Sequence, residues 1–325
     1  MIITRTPLRM SFVGGGSDLA SYYQKHGGAV ISTSINKFIY LCANNKFEKG
    51  YRLSYSKQET VERVDQIEHQ LFRHCLDYFN IKDSFEISSM ADIPSSGSGL
   101  GSSSSFTVGL VNLLSSYLQK ELTKEEIANI ACEIEIDICG SPIGKQDQYA
   151  ASFGGLNKII FNRDGSTNVN PINCKPENLK KFKDSIIVLY TGKSREANQI
   201  LSIQNEKMNE KSKQEIVTKM VDLCDPFSDL ITEGNIEGIG EVLDYGWNLK
   251  KSILETISNS SIDILYDRGK KAGALGGKLM GAGGQGFLLF CAPQDRHSSI
   301  KEELKELREL DISFDQSGTQ VVYKD

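Results

Sequence analysis

Between Pro94 and Phe106 the chain reads "PSSGSGLGSSSSF", and the residues that follow, "TVGLVNLLSSYL", carry apolar side chains at helical spacing. This junction constrains the fold more than any other stretch. A flexible tether has no reason to lead directly into a buried helix, whereas a loop of small residues opening a helix is physically a phosphate cradle. Glycines let the backbone approach an oxyanion, and the free N–H groups and dipole of the first helical turn attract negative charge. Serine hydroxyls can bind phosphate oxygens or a metal ion. Composition alone leaves a second reading equally open, a Gly/Ser turn that only caps the helix.

Two further glycine loops stand far away in sequence. "VGGGSDL" (Val13–Leu19) sets Gly15, Gly16 and Ser17 before Asp18, which suits close packing on a ligand whose hydroxyls the acid accepts. The plainer reading makes Asp18 the N-cap of a helix "LASYYQK". "GAGGQG" (Gly281–Gly286) matches G-x-G-x-x-G, yet it runs into the strand-like "FLLF" where a dinucleotide fingerprint should open a helix. A Walker A loop is excluded: the serine run has no lysine, and "TGKS" at Thr191–Ser194 has Ile187 where the first glycine belongs.

The 325 residues suffice for two domains. A net charge of −5 with no basic block argues against a nucleic-acid partner. No apolar run reaches membrane-span length and the start lacks a signal-peptide layout, so a cytoplasmic protein without a membrane partner is expected. Seven cysteines without a C-x-x-C pair, and four histidines without zinc-ligand spacing, point to buried thiols and away from His/Cys metal chemistry.

The first third reads as strands: "MIITRTP", "RMSFVGG", "GAVISTSI", "KFIYLCANN" and "YRLSYS". Val64, Ile67, Leu71, Cys75 and Tyr78 predict a helix from Thr60 to Phe79. "SFEISS" is a further strand. In "LTKEEIANIACEIEIDICG" the alternation "EIEIDI" competes with a Thr123/Glu126 capping box and a stripe of Ile127, Ile130, Ile134 and Ile138; a helix ending at Gly140 is predicted. After the strand "GGLNKIIFN" and a polar stretch at 163–180, "SIIVLYTG" reads as a buried strand and helices dominate to Lys271. "GKLMGAGGQGFLLFCAP" reads as two strands about a glycine turn, followed by a charged helix "SSIKEELKELREL" and a last strand "TQVVYK". The pattern change sets a domain boundary near residue 183.

Taken in order, "TPLRMSFVGGGSDL", "GSGLGSSSSF" and "GGKLMGAGGQGF", with "GSPIGKQDQYAASFGG" between the second and third, resemble the motifs of the GHMP small-molecule kinases over nearly the whole chain. The resemblance implies an α+β fold of two domains: an N-terminal ribosomal-S5-like, ATP-binding domain (1–183) and a C-terminal ferredoxin-like domain (184–325). The first would contain a left-handed β-α-β unit, an exception to a strong handedness rule. "KQDQYAASFGG" is similar to the heptose kinase and fucokinase branch. That implies ATP and Mg²⁺, a small sugar phosphate as partner, and transfer to the anomeric O1 of a heptose 7-phosphate on the way to GDP-activated heptose. A fucose-type sugar 1-kinase is the enzymatic alternative, and a catalytically silent nucleotide-binding protein the other; oligomeric state is left open.

The resemblance also implies roles. Asp147 would be the catalytic aspartate, against the plainer reading of a cap on "QYAA", and Arg9 its neighbouring cation, with Lys145 a second. Gly97, Ser98, Gly99, Leu100, Gly101, Ser102, Ser103 and Ser104 would hold the ATP phosphates. Ser103 (or Ser102) and Glu135 would bind Mg²⁺; helical geometry leaves Glu135 and Asp137 both beside the isoleucine stripe, and the resemblance favours Glu135. Gly15, Gly16, Ser17 and Asp18, with Gly283 and Gly284, would face the sugar. A second substrate phosphate needs its own basic pocket, for which Thr191, Lys193 and Arg195 are candidates; an ordinary strand-to-helix turn is the alternative. Leu8, one extra residue before the loop glycines, and Gln285 depart from the family pattern. Retention of Arg9, Ser103, Glu135 and Asp147 together argues against a silent relative.

Overall fold

The computed structural model describes residues 1–82, 84–93, 98–192, 197–207 and 210–325, the side chains of 197–199 aside. The four strands expected before residue 46 are two long ones, β1 (Ile2–Val13) and β2 (Gly28–Asn45), joined through α1 (Ala20–His26). Pro7 cannot donate to a ladder, and the β1–β2 register shifts between Pro7 and Leu8. The sheet absorbs the proline as an irregularity and the strand continues.

Next come β3 (Tyr51–Ser54), β4 (Gln58–Val61), α2 (Gln70–Tyr78) and β5 (Phe85–Ala91). The helix predicted from Thr60 is therefore shorter by its first ten residues. β-Branched Thr60 and Val61 belong to a hairpin with β3, and the Glu59 carboxylate accepts the N–H groups of Glu68 and His69, turning the chain just before α2. His69 then caps that helix by accepting from the Phe72 N–H. β3 and β5 run parallel, with β4 and α2 as their connection.

The serine loop opens α3 (Ser102–Tyr117), which is buried on nearly every side from Ser104 to Ser115. A Cβ on Gly109 would lie 2.7 Å from Thr6 Oγ1, so the missing side chain lets α3 press against β1. α4 (Lys124–Cys132) begins with the predicted Thr123/Glu126 capping box, and α5 (Gln146–Phe153), β6 (Leu156–Phe161), β7 (Thr167–Pro171) and α6 (Pro176–Asp184) follow. The last two lie in the stretch read only as polar. Pro176 at the start of α6 supplies a preset φ, and its one large buried apolar side chain, Phe182, gives too little periodicity to signal a helix.

The C-terminal strand β12 (Gln320–Lys324) starts the first sheet, whose order is β12-β1-β2-β5-β3-β4. β2 is long enough to pair β6 along Gly28–Thr33 and β5 along Ile39–Asn45. The second sheet starts at β8 (Ile186–Tyr190). After it come α7 (Ala197–Lys207), α8 (Lys211–Asp222), α9 (Cys224–Glu233), α10 (Ile236–Lys251), α11 (Ser260–Lys271), β9 (Gly276–Leu279), β10 (Phe287–Cys291), α12 (His297–Glu303) and β11 (Arg308–Glu309). Its order β11-β8-β10-β9 is all antiparallel, the β-α-β-β-α-β arrangement of a ferredoxin-like unit. The charged helix is shorter than predicted because Arg308 and Glu309 pair with the edge of β8. β12 (Gln320–Lys324) then returns to the first sheet beside β1.

The two sheets share a core. Phe12 of β1 packs on Phe182 and Phe227, with ring centroids 5.1 and 5.7 Å away. Among the described residues no helix is long and apolar enough to cross a membrane.

Candidate active site

Three glycine loops meet in one cleft, lined by Gly15, Gly16 and Asp18, by Ser98–Ser104 without Leu100, and by Gly281 and Ala282. Gly99 and Gly101 have φ of +74° and +77°, a backbone that glycine adopts without strain. Leu100 between them is buried, and its carbonyl accepts the Arg9 N–H at 3.0 Å, tying the loop to β1. A Cβ on Gly99 would stand 2.5 Å from the Met280 carbonyl oxygen, and one on Gly281 would stand 2.4 Å from Gly99 Cα. Loops almost two hundred residues apart thus touch backbone to backbone.

Beneath the serine loop, Arg9 donates from Nε and Nη2 to the two oxygens of Asp147, both at 2.6 Å, and from Nη1 to the Gly99 carbonyl at 2.8 Å. This fork geometry fixes the carboxylate in orientation as well as place. Asp147 lies within the first turn of α5 and is no cap; Lys145 stands at the N-cap but its side chain makes no capping bond. Asp18 is no cap either, since Leu19 occupies that position in α1. Its buried carboxylate accepts from the Gly16 and Gln146 N–H groups at 3.0 and 3.3 Å. Burial, then the charge of Asp147, raise its pKa. Gly144 leaves it room: a Cβ there would be 2.0 Å from Asp18 Oδ2.

Past α4 the helix loosens into a π-turn over Glu133–Ile138. The wider turn rotates the side chains off the regular helical stripe, so Ile138 is 43% exposed while Glu135 is 1% exposed. Asp137 faces solvent, so of the two acids only Glu135 is turned toward the serine loop. Glu135 accepts from Ser103 Oγ at 3.0 Å and Gln148 Nε2 at 2.7 Å. Burial pushes its pKa up to about 7, against the lowering effect of the Ser104, Gln148 and Ser103 side chains, and Asp147 adds to the rise. Among the described residues no group of three or more His, Cys, Asp or Glu could cage a metal ion. A buried carboxylate beside a serine hydroxyl nevertheless fits Mg²⁺, a hard cation that keeps waters and takes phosphate oxygens as its other ligands.

Several expected site residues do other things. Ser17 exchanges bonds with the Ala29 carbonyl and N–H, bracing the first loop against β2. Lys145 turns away from the cleft: its ammonium donates to the Gly165 carbonyl at 2.8 Å and lies 5.2 Å from the centre of the Tyr23 ring. Thr191 Oγ1 donates to the Gly286 carbonyl and accepts the Gly286 N–H, locking β8 to the third loop. Gly283 and Gly284 pack on the 257–259 turn, where the Gly284 N–H meets the Ile257 carbonyl and its own carbonyl meets Asn259; Gly281 and Ala282 take the cleft side. Leu100 serves the core. Gly97, Lys193 and Arg195 lie outside the described residues.

The sequence reading missed two lysines that line the cleft, Lys250 and Lys278. Lys278 is buried in β9 and donates to the Ser11 and Phe12 carbonyls at 2.9 and 2.8 Å; burial, then Lys250 and Arg9, press its pKa well down. A lysine amid the apolar strand "GGKLM" was a usable signal. Lys250 donates to the Gly281 carbonyl, and burial, helped by Arg9 and opposed by Asp18, brings its pKa down to about 8. "NLKK" on a helix looks like a solvated face, so nothing in sequence marked it.

A family model described as the GHMP kinases N terminal domain matches residues 59–155, and one described as GHMP kinases C terminal matches residues 227–309. A D-glycero-alpha-D-manno-heptose 7-phosphate kinase of Campylobacter jejuni is 31% identical over 98% of this chain and 97% of its own length. The crystal structure of a D-glycero-D-manno-heptose 1-phosphate kinase from Bacteroides thetaiotaomicron superposes with a TM-score of 0.82 at 22% identity, covering 100% of both chains. A Lactococcus lactis galactokinase complexed with galactose gives 0.77 at 18% identity, over 98% of this chain and 94% of that one. With its motif loops joined in one cleft and both family domains present, the chain belongs to the GHMP kinases and is an ATP-dependent sugar kinase.

Proposed function

We propose that the chain transfers the γ-phosphoryl group of Mg-ATP to the anomeric O1 of D-glycero-D-manno-heptose 7-phosphate, giving the 1,7-bisphosphate on a route to GDP-activated heptose. The observation that carries the chemistry is the Arg9–Asp147 fork held under the serine loop. The sugar rests on the Campylobacter jejuni relative, which is similar over almost its full length.

The residues divide the work as follows. N–H groups at the start of α3, with its dipole, bind the nucleotide phosphates, and Gly99 and Gly101 keep the loop free of side chains there. Asp18 accepts sugar hydroxyls with the lone pairs left by its two backbone bonds. Asp147 takes the O1 proton as O1 attacks the γ-phosphorus; the bond from that phosphorus to the ADP oxygen breaks, and ADP leaves with the electron pair. Each Asp147 oxygen keeps a lone pair beside its bond to Arg9, so the pair orients the base without using it up. Mg²⁺, held by Ser103 and Glu135, would supply charge neutralisation for the phosphates.

The test is ADP release with a panel of D-glycero-D-manno-heptose 7-phosphate, mannose, fucose and galactose, with the product read by phosphorus NMR. Turnover confined to the heptose phosphate, with a new anomeric phosphate signal, is the expected outcome. Turnover of free fucose with the heptose phosphate inert would sink the heptose assignment in favour of a fucose-type 1-kinase.

A further inference from the structure

Among the described residues, Arg9, Lys278 and Lys250 are the cationic side chains lining the cleft, and they differ in what holds them. Arg9 is matched by Asp147, and Lys278 by two carbonyls of β1. Lys250 is 7% exposed and has no carboxylate within ion-pair distance among the described residues. One bond, to the Gly281 carbonyl, accounts for one of its three protons. It comes from the last turn of α10, where the helix dipole favours a cation. Gly281 rests directly on Gly99 of the serine loop, so the ammonium stands where the second sheet's wall meets the phosphate cradle.

A buried ammonium without a counter-anion is costly, and Arg9 and Lys278 add repulsion that Asp18 offsets in part. An anion entering the cleft removes that cost. We propose that Lys250 is a phosphoryl-binding side chain of this kinase, donating to a phosphate oxygen of a bound reactant from the wall opposite α3. Two reactants carry that chemistry: the terminal phosphate of the nucleotide and the phosphate already on the sugar. The proposal rests on the kinase activity; only its sugar arm depends on the heptose reading, and the nucleotide arm stands if another sugar is the substrate.

Calorimetry on the full chain near pH 8 separates these cases. ADP, ATP without sugar, heptose 7-phosphate and unphosphorylated heptose are titrated into wild type, Lys250→Met and Lys250→Arg, in two buffers of different ionisation enthalpy; thermal melts establish that each variant is folded. Lys250→Met is expected to weaken the ligand bearing the contacted phosphate by tenfold or more, with Lys250→Arg recovering part of the loss. Wild type is expected to take up a fraction of a proton on binding that ligand, and the Met variant is expected not to. A loss for ATP relative to ADP assigns the terminal phosphate; a loss for heptose 7-phosphate relative to heptose assigns the sugar phosphate. Equal effects on all four ligands, or none, overturn the proposal. If the Met variant does not fold, the wild type decides alone: no proton uptake with either phosphate ligand overturns it as well.

Discussion

The two walls of the cleft carry opposite problems. On the side of the first sheet, Asp18 and Glu135 are buried and hold their protons more tightly than usual. On the side of the second, Lys250 and Lys278 are buried and hold theirs less tightly. Each wall alone is electrostatically unfavourable, because desolvation penalises whichever form is charged. In the scheme proposed above, a metal–polyphosphate would answer both at once, bringing a cation to Glu135 and an anion to Lys250. Asp147, on the same wall, already has Arg9 as its partner. The Arg9–Asp147 pair is formed within the protein itself, whereas in the proposed scheme Glu135 and Lys250 gain their charged partners from the ligand.

Replacing Asp147 by Asn should break this scheme most severely. The amide keeps the shape but loses both the proton acceptor and the fork to Arg9. Turnover should fall by roughly 10²–10⁴-fold, the usual weight of a positioned general base. Nucleotide affinity should stay within a few-fold, because the α3 N–H groups are untouched. Steady-state ADP release beside nucleotide titration reads both quantities; less than a tenfold fall in turnover would remove Asp147 from the chemistry.

Glu135→Gln sharpens the contrast through pH. In the folded chain this carboxyl keeps its proton to about pH 7, whereas its ordinary value is 4.5. The native state therefore binds more protons than the unfolded chain between those values, and wild type loses stability as pH rises through that window. The span corresponds to about 3 kcal/mol, taken as an order of magnitude. The Gln variant has no such proton to lose. The wild-type-minus-variant difference in urea denaturation should thus fall between pH 4.5 and 7 in EDTA, with Asp18 cancelling because both proteins carry it. Mg²⁺ should restore part of the wild type's loss. A flat difference would mean that Glu135 is better solvated than its burial indicates.

The acid wall was far more legible in sequence than the lysine wall, and the reason is physical. Glycine loops must be glycine where a Cβ would strike backbone, as at Gly99 and Gly281, so composition betrays them. The acids sit beside such loops and inherit the signal. Glu135 was the partial case, because a π-turn cannot be read from a 3.6-residue stripe and only the family resemblance favoured it over Asp137. Lys250 reaches the cleft by tertiary packing of α10, and helical charge patterns look the same whether the face is solvated or buried. Lys145 and Ser17 failed in the opposite sense. They adjoin cleft-lining residues in sequence, yet one turns to Gly165 and the other to Ala29. The early hairpin at Gln58–Val61 was hidden by apolar spacing that suited a helix, since pairing with β3 outweighed local periodicity.

The smallest expected effect concerns how far the second wall extends. Thr191 stands at the end of β8 with its hydroxyl fully engaged by Gly286, donating at 2.9 Å and accepting at 3.2 Å. A hydroxyl so used braces the third loop and has little left to offer a phosphate. Thr191→Ala should therefore cost about 1 kcal/mol of stability, the typical net worth of such a bond, while the KM for the sugar phosphate stays unchanged. Urea denaturation and initial-rate kinetics test the two halves separately. If KM rises several-fold with stability intact, the hydroxyl must leave Gly286 when substrate binds. The phosphate-binding wall would then run from Lys250 out to the end of β8.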